Sequence, residues 1–199
     1  LVASKSFPAD DVKALVDYVR NNPGKINHAS AGAGSYAMLD MLVLERTAGL
    51  KMTHVPYKGG AGQFIAALIG GEVDLAFANV SSAAELVKAG RLKALAVTSK
   101  ARVQDLPTVP TMAEAGYPGV GTDAWQGLFV PAGTPANVVA RLHDAVGKVL
   151  AQPAIRDSLL KRSILPAPSQ SPAQFAQFVS AETARWGQIV KEHKAALVN

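Results

Sequence analysis

Apolar positions along the chain alternate between helical and extended spacing. Val12, Leu15, Val16 and Val19 recur at helical intervals, and Pro23-Gly24 stops the helix they imply. Ile26 to Ser30 predicts a short strand running into Ala31-Gly32-Ala33-Gly34-Ser35. A strongly apolar helix follows from about Tyr36 to Thr47, with Gly49 as its C-terminal cap. The pattern repeats as a strand over Met52 to Tyr57, a glycine-rich turn at Lys58 to Gly62 and a helix over Gln63 to Ile69. Val73 to Ala78 predicts another strand, with Val73, Leu75 and Phe77 on one face and Asp74, Ala76 and Ala78 on the other. Ser82 to Lys88 is helical and Leu92 to Thr98 extended, as is Leu1 to Ser6 at the start. Strands alternating with helices predict an open, largely parallel sheet, hence an α/β fold.

After Ser99 the pattern changes. Thr111-Met112-Ala113-Glu114 has the form of a capping box opening a short helix that Gly116 ends. Trp125 to Val130 reads as an isolated apolar strand. Beyond it, Thr134-Pro135 caps a helix with a buried stripe of Val138, Leu142, Ala145, Val146 and Val149. Pro153 starts another helix, and Ser171-Pro172-Ala173-Gln174 opens a long last one whose buried face includes Phe175, Phe178, Trp186 and Ile189. The chain therefore divides into an α/β part, residues 1–122, and a mainly helical part, residues 123–199. Three helices and one strand make a poor independent core. Their apolar faces need a sheet that these residues do not supply, so a missing piece is expected.

Composition narrows the function. A hydrophobic fraction of 49% with 18% charged residues describes a folded globular chain. No apolar run approaches the ~18 residues of a membrane span. The net charge of +5 favours an anionic ligand only weakly. The longest basic cluster is Lys161-Arg162, with no basic tract interleaved with aromatics, so nucleic acid is not an expected partner. The absence of cysteine removes disulfides, thiolate catalysis and sulfur-bound metals. Leu1 to Lys5 carries no signal-peptide pattern, so either the protein is not exported or the chain begins after its export signal.

The sharpest motif is Ser30-Ala31-Gly32-Ala33-Gly34-Ser35-Tyr36, between a strand and a helix. Glycines permit close backbone approach, and a helix start offers unpaired N–H groups at a positive dipole end. Ser30 and Ser35 add hydroxyls able to donate to a carboxylate. The same motif also suits a tight turn with Ser35 as a simple cap. It fits a dinucleotide fingerprint too, but the strand to Tyr57 ends in no acidic residue, leaving Lys58 to meet a phosphorylated cofactor. His28-Ala29-Ser30-Ala31-Gly32 resembles a nucleophile elbow with histidine in place of its first glycine; His143 and His193 lie on predicted helices, away from such a site. Tyr57, Lys58 and Gly59 form a second strand-end loop, placed to close over an anion or merely to pack and be solvated. Asp74, inside an apolar strand, needs partners: loop backbone donors or a ligand ammonium. His28 and His54 stand alone on different strands, and no cluster has metal-ligand spacing.

Taken together, these motifs resemble the solute receptors of tripartite tricarboxylate transporters, the Bug-type receptors. The resemblance runs along essentially the whole chain: Pro23-Gly24-Lys25, the Ser30 to Ser35 loop, His54-Val55-Pro56-Tyr57-Lys58-Gly59 and Gly70-Gly71-Glu72-Val73-Asp74. It continues through Ala89 to Val97, Arg102, Leu106 to Thr111, Glu114-Ala115-Gly116, Trp125-Gln126-Gly127-Leu128 and Pro131 to Pro135.

The resemblance implies a two-lobed periplasmic binding protein, type II-like, that closes on its ligand. Residues 1–122 would form most of the second lobe, and residues 123–199 would cross back and complete the first with C-terminal helices. The family's N-terminal part, including its signal peptide and a proline-glycine-rich loop, has no counterpart in this sequence. The implied function is capture of a small carboxylate (a di- or tricarboxylate, amino acid or related organic acid) for the membrane subunits of the transporter, without cofactor or catalysis. Ser30, Gly32, Ala33, Gly34, Ser35 and Tyr36 match the ligand loop, with Tyr57, Lys58, Gly59 and Asp74 beside it. An NAD(P)-dependent or serine-hydrolase α/β enzyme, and a receptor serving signalling, remain as alternatives.

Overall fold

The computed structural model describes residues 1–192, which divide into two compact units: Leu1–Ala124 together with the residues from Ile189, and Trp125–Gln188. The first unit holds strands β1 (Val2–Ser4), β2 (Asn27–Ser30), β3 (Thr53–Pro56), β4 (Leu75–Ala76) and β5 (Leu92–Ala94), and helices α1 (Val12–Asn21), α2 (Tyr36–Ala48), α3 (Ala61–Gly70) and α4 (Val80–Lys88). The strands form one sheet in the order β3-β2-β4-β1-β5. β2 runs parallel to β3 and β4, while β1 is antiparallel to both β4 and β5. All strands but β1 therefore point the same way.

Both faces of the sheet are covered. On one, Val12, Leu15, Val16 and Val19 of α1 and Ala37, Met41 and Leu44 of α2 pack around Ala3, Leu75 and Phe77. On the other, Phe64, Ile65 and Leu68 of α3 and Ala83 of α4 meet Val2, Ala29, Ala76 and Leu92. Burying a large aliphatic side chain contributes roughly 1.5–3 kcal/mol, so these faces fix the strand register. Asp11 caps α1 by accepting the Ala14 amide at 2.7 Å. Arg20 donates twice to the Ala48 carbonyl, at 3.1 and 2.7 Å, placing a cation at the C-terminal end of α2.

Several elements are shorter than the sequence predicts. The strand expected from Val73 to Ala78 pairs only over Leu75–Ala76, and the one from Leu92 to Thr98 over Leu92–Ala94, with a further single bridge from Val97 to Thr111. The capping box forms as expected: the Glu114 amide donates to Thr111 Oγ1 at 3.0 Å, and Thr111 N–H to Glu114 Oε2 at 2.7 Å. It closes turns rather than a helix.

In the second unit, α5 (Ala136–Leu150) and α6 (Pro153–Leu160) are joined by α7 (Pro172–Glu192), most of which belongs to it. Thr134 does not cap α5; its hydroxyl donates to Pro131 O at 2.8 Å, and Pro135 takes the cap position. Residues 125–130 form no strand, because no described strand pairs with them. Trp125, Phe129, Phe175 and Phe178 instead gather as an aromatic cluster, Trp125 and Phe178 edge to face at 5.1 Å. None of α5, α6 and α7 buries a residue fully, so the stripes expected to be core remain half-buried or exposed. Among the described residues, no helix is long and apolar enough to cross a membrane. His193 lies outside the described residues.

Candidate functional site

β3, β2 and β4 are parallel neighbours, and each passes through a short loop into a helix. The starts of α3, α2 and α4 are thereby brought to one sheet edge, outside the carboxyl ends of the strands, where open α/β sheets take their ligands. Two contacts join the three loops. The Tyr57 amide donates to the Ser30 carbonyl at 2.8 Å, and the Tyr36 hydroxyl donates to Asn79 Oδ1 at 2.9 Å. Asn79 is the N-cap of α4, its side chain turned to Tyr36 rather than to its own helix. Sequence reasoning passed over it, although its place between a strand and a helix was a signal.

Within the first loop, the Gly32 carbonyl is the hub. It accepts the Ser35 hydroxyl at 2.8 Å and the Ser35 amide at 3.2 Å. Ser35 Oγ also accepts the Met38 amide at 3.4 Å, capping α2. Gly32 and Gly34 take φ of +112° and +76°, conformations that disfavour any side chain. The hydroxyls of Ser30 and Ser35 are thus engaged inside the loop, whereas the amides of Ala33, Gly34 and Tyr36 have no acceptor among the described residues. Three unpaired N–H groups at the positive end of a helix suit an anion.

The Lys58 side chain is exposed and forms no ion pair among the described residues, leaving an uncompensated positive charge at this edge. Gly59 N–H donates to Gln63 Oε1 at 3.0 Å, which shapes the entry to α3. The Tyr57 ring packs with Val55 and Ala61 against the α3 side of the sheet. Asp74 is not brought to this edge. Its Oδ2 accepts the Asn27 amide at 2.8 Å, at the start of β2, roughly 10 Å of strand away from the loop.

His28 and His54, expected to stand alone, are directly paired by the β2–β3 register and stack with ring centroids 5.0 Å apart. Burial and the neighbouring ring hold the His28 pKa down to about 3, and burial lowers that of His54. His54 Nε2 lies 2.6 Å from Ser30 Oγ. A serine–histidine contact suggests a nucleophile and base, yet Ser30 is fully buried and no carboxylate bonds to His54 among the described residues. The described residues also contain no group of three potential metal ligands.

The family described as "TctC: Tripartite tricarboxylate transporter family receptor" matches residues 1–195. A curated relative from Pseudomonas sp. strain P51, the UPF0065 protein in the tcbD-tcbE intergenic region, is 38% identical over 192 residues; the match covers 94% of this chain and 56% of the relative. The chain thus spans little more than half the length of that relative. Among solved structures, MatC (Rpa3494) from Rhodopseudomonas palustris with bound malate superposes with a TM-score of 0.85 at 36% identity, covering 95% of this chain and 65% of that one. R. palustris Rpa4515 with adipate gives a TM-score of 0.86 at 32% identity, covering 96% and 64%.

Proposed function

Because this chain belongs to the tripartite tricarboxylate transporter receptor family, we propose that it holds a small di- or tricarboxylate at the edge where α2, α3 and α4 begin, and delivers it in the periplasm to the membrane subunits of a transporter. The family is one of receptors, not enzymes. One observation carries the reading: three helix N-termini converge on one sheet edge, with the amides of Ala33, Gly34 and Tyr36 left without acceptors among the described residues. Helix dipoles and amides recognise carboxylate oxygens without buried cations. The exposed Lys58 charge adds attraction that salt screens.

Malate and adipate, bound by the two related structures, support a small dicarboxylate as the ligand class. The working receptor also includes polypeptide beyond these 199 residues. This is supported by the largely exposed Leu128, Phe129 and Leu165 and by the 56% coverage of the Pseudomonas relative. We assign residues 1–122 to one ligand lobe and residues 123–199 to the other. Calorimetric titration of the complete receptor with malate, adipate and citrate, beside their uncharged amides, tests the proposal. Binding of an acid but not its amide is expected; equal binding of both, or of neither, overturns it.

A further inference from the structure

We infer that His54 is a positioning residue for the anion loop, acting through the Ser30 hydroxyl rather than on the ligand. The inference rests on the site proposed above and adds to it a residue assigned no role there. Ser30 is the last residue of β2 and is fully buried. Its hydroxyl accepts the Gly32 amide at 3.0 Å, lies 3.2 Å from the Gly32 carbonyl, and stands 2.6 Å from His54 Nε2. Both polar groups of Gly32 are therefore held to one oxygen, and that oxygen is anchored on the neighbouring strand.

The anchor continues into the helix. The Gly32 carbonyl receives the Ser35 hydroxyl and amide, and Ser35 Oγ caps α2 through Met38 N–H. From His54 to the first turn of α2 there is an unbroken series of polar contacts, and the free amides of Ala33, Gly34 and Tyr36 hang on it. With Nε2 protonated, His54 donates into Ser30 and frees the hydroxyl proton for the Gly32 carbonyl; with Nε2 bare, it accepts that proton. Either tautomer fixes Ser30. The ring is itself fixed by stacking on the buried His28. Side chains placed this way set a loop to within fractions of an ångström, which anion recognition by backbone amides demands.

The test uses the complete receptor, with malate and adipate as probes and amide hydrogen exchange at Gly32 as a readout independent of any ligand. His54→Phe keeps the stacked ring and removes the hydrogen bond; His54→Gln places an amide near the position of Nε2; Ser30→Ala removes the intermediary. His54→Phe is expected to speed Gly32 exchange and weaken probe binding, each by about ten-fold, and His54→Gln to recover most of both. Because the two residues act in series, His54→Phe with Ser30→Ala should be no worse than Ser30→Ala alone. Unchanged Gly32 exchange in His54→Phe, or additive losses in the double variant, overturns the inference. Should neither acid bind the wild type, the carboxylate reading fails on its own, and Gly32 exchange still decides the part played by His54.

Discussion

Asp40 grips Thr122 twice: Oδ2 accepts the Thr122 amide at 3.0 Å and Oδ1 accepts its hydroxyl at 2.7 Å, both bonds buried. Asp40 sits in α2 just past the Gly32–Ser35 loop, and Thr122 lies two residues before the first unit's main segment ends at Ala124. The Thr122 carbonyl in turn accepts the Thr98 hydroxyl at 2.8 Å. One carboxylate thus secures the end of the α/β unit to the helix that begins at the site.

Removing that acceptor strands two buried donors. Hydrogen bonds to charged groups contribute about 1.5–3 kcal/mol each and buried unpaired groups are costly, so Asp40→Ala should lower stability by roughly 3 kcal/mol or more. Asp40→Asn keeps one acceptor oxygen in place and should cost about half as much. Urea unfolding at neutral pH reads both. Equal, small losses would show that Thr122 finds other partners.

The alternating strands and helices were legible because each helix of the first unit has an apolar side of its own, as with Val12, Leu15, Val16 and Val19. The turn from Ser30 to Tyr36 was legible because glycines between a strand and a helix mark a sharp change of direction, though the same pattern suits a plain turn as well as an anion site. The roles of its hydroxyls were not, since a serine oxygen can face a ligand or its own backbone without any change in sequence. Asp74 was ambiguous for a related reason: its distance from the loop is set by strand direction, not by spacing. The His28–His54 stack depended on the β2–β3 register, which no local pattern displays. The helical unit was legible as amphipathic, but its stripes find no sheet to cover, so predicted core residues such as Val138 and Leu142 are 42% and 37% exposed.

Acid should destabilise the first unit through His28. Its Nδ1 is buried without a hydrogen-bond partner among the described residues, and its pKa falls from an ordinary 6.5 to about 3. Between those values the unfolded chain binds a proton that the folded chain refuses, so stability is full above pH 6.5 and falls as pH drops towards 3. The slope is about 1.4 kcal/mol per pH unit for one such group, with His54 adding in the same direction. His28→Phe keeps a stacked ring and removes the titrating group. Urea midpoints from pH 7 to pH 4.5 should fall less steeply in that variant; identical slopes would mean His28 does not control acid stability.

The 199-residue chain on its own should associate. Leu165, Leu128 and Phe129 are 76%, 63% and 62% exposed, and Val138, Leu142, Val146 and Phe178 are exposed as well; apolar side chains exposed in such number mark an interface or an aggregation hazard. Light scattering should show species larger than a monomer, shifting towards monomer when Leu128, Phe129 and Leu165 are all replaced by serine. A monodisperse monomer in the unaltered chain would mean these side chains find cover within it.

Gly34 tests the anion loop most directly. At φ +76° a Cβ would meet no atom within 4 Å, so a substituent there costs backbone strain and not a packing clash. That strain is about 1–2 kcal/mol for an L-residue in the left-handed region. Gly34→Ala and Gly34→Val both incur it, the β-branched Val more than Ala, and they differ in how far the side chain reaches into the open space beside the loop. If a carboxylate occupies that space in the complete receptor, Gly34→Ala should weaken malate or adipate binding about ten-fold, and Gly34→Val by several-fold more, beyond the difference in their stabilities. Ser35→Ala supplies the contrast, because its hydroxyl serves the Gly32 carbonyl and the Met38 amide. Losing such a cap costs about 1 kcal/mol and should reduce affinity only as far as the loop loosens. Calorimetry on the three variants, beside their urea midpoints, separates the effects. Unchanged affinity in both Gly34 variants would move the anion to the Tyr57-Lys58-Gly59 loop, where Lys58→Met should then produce the loss.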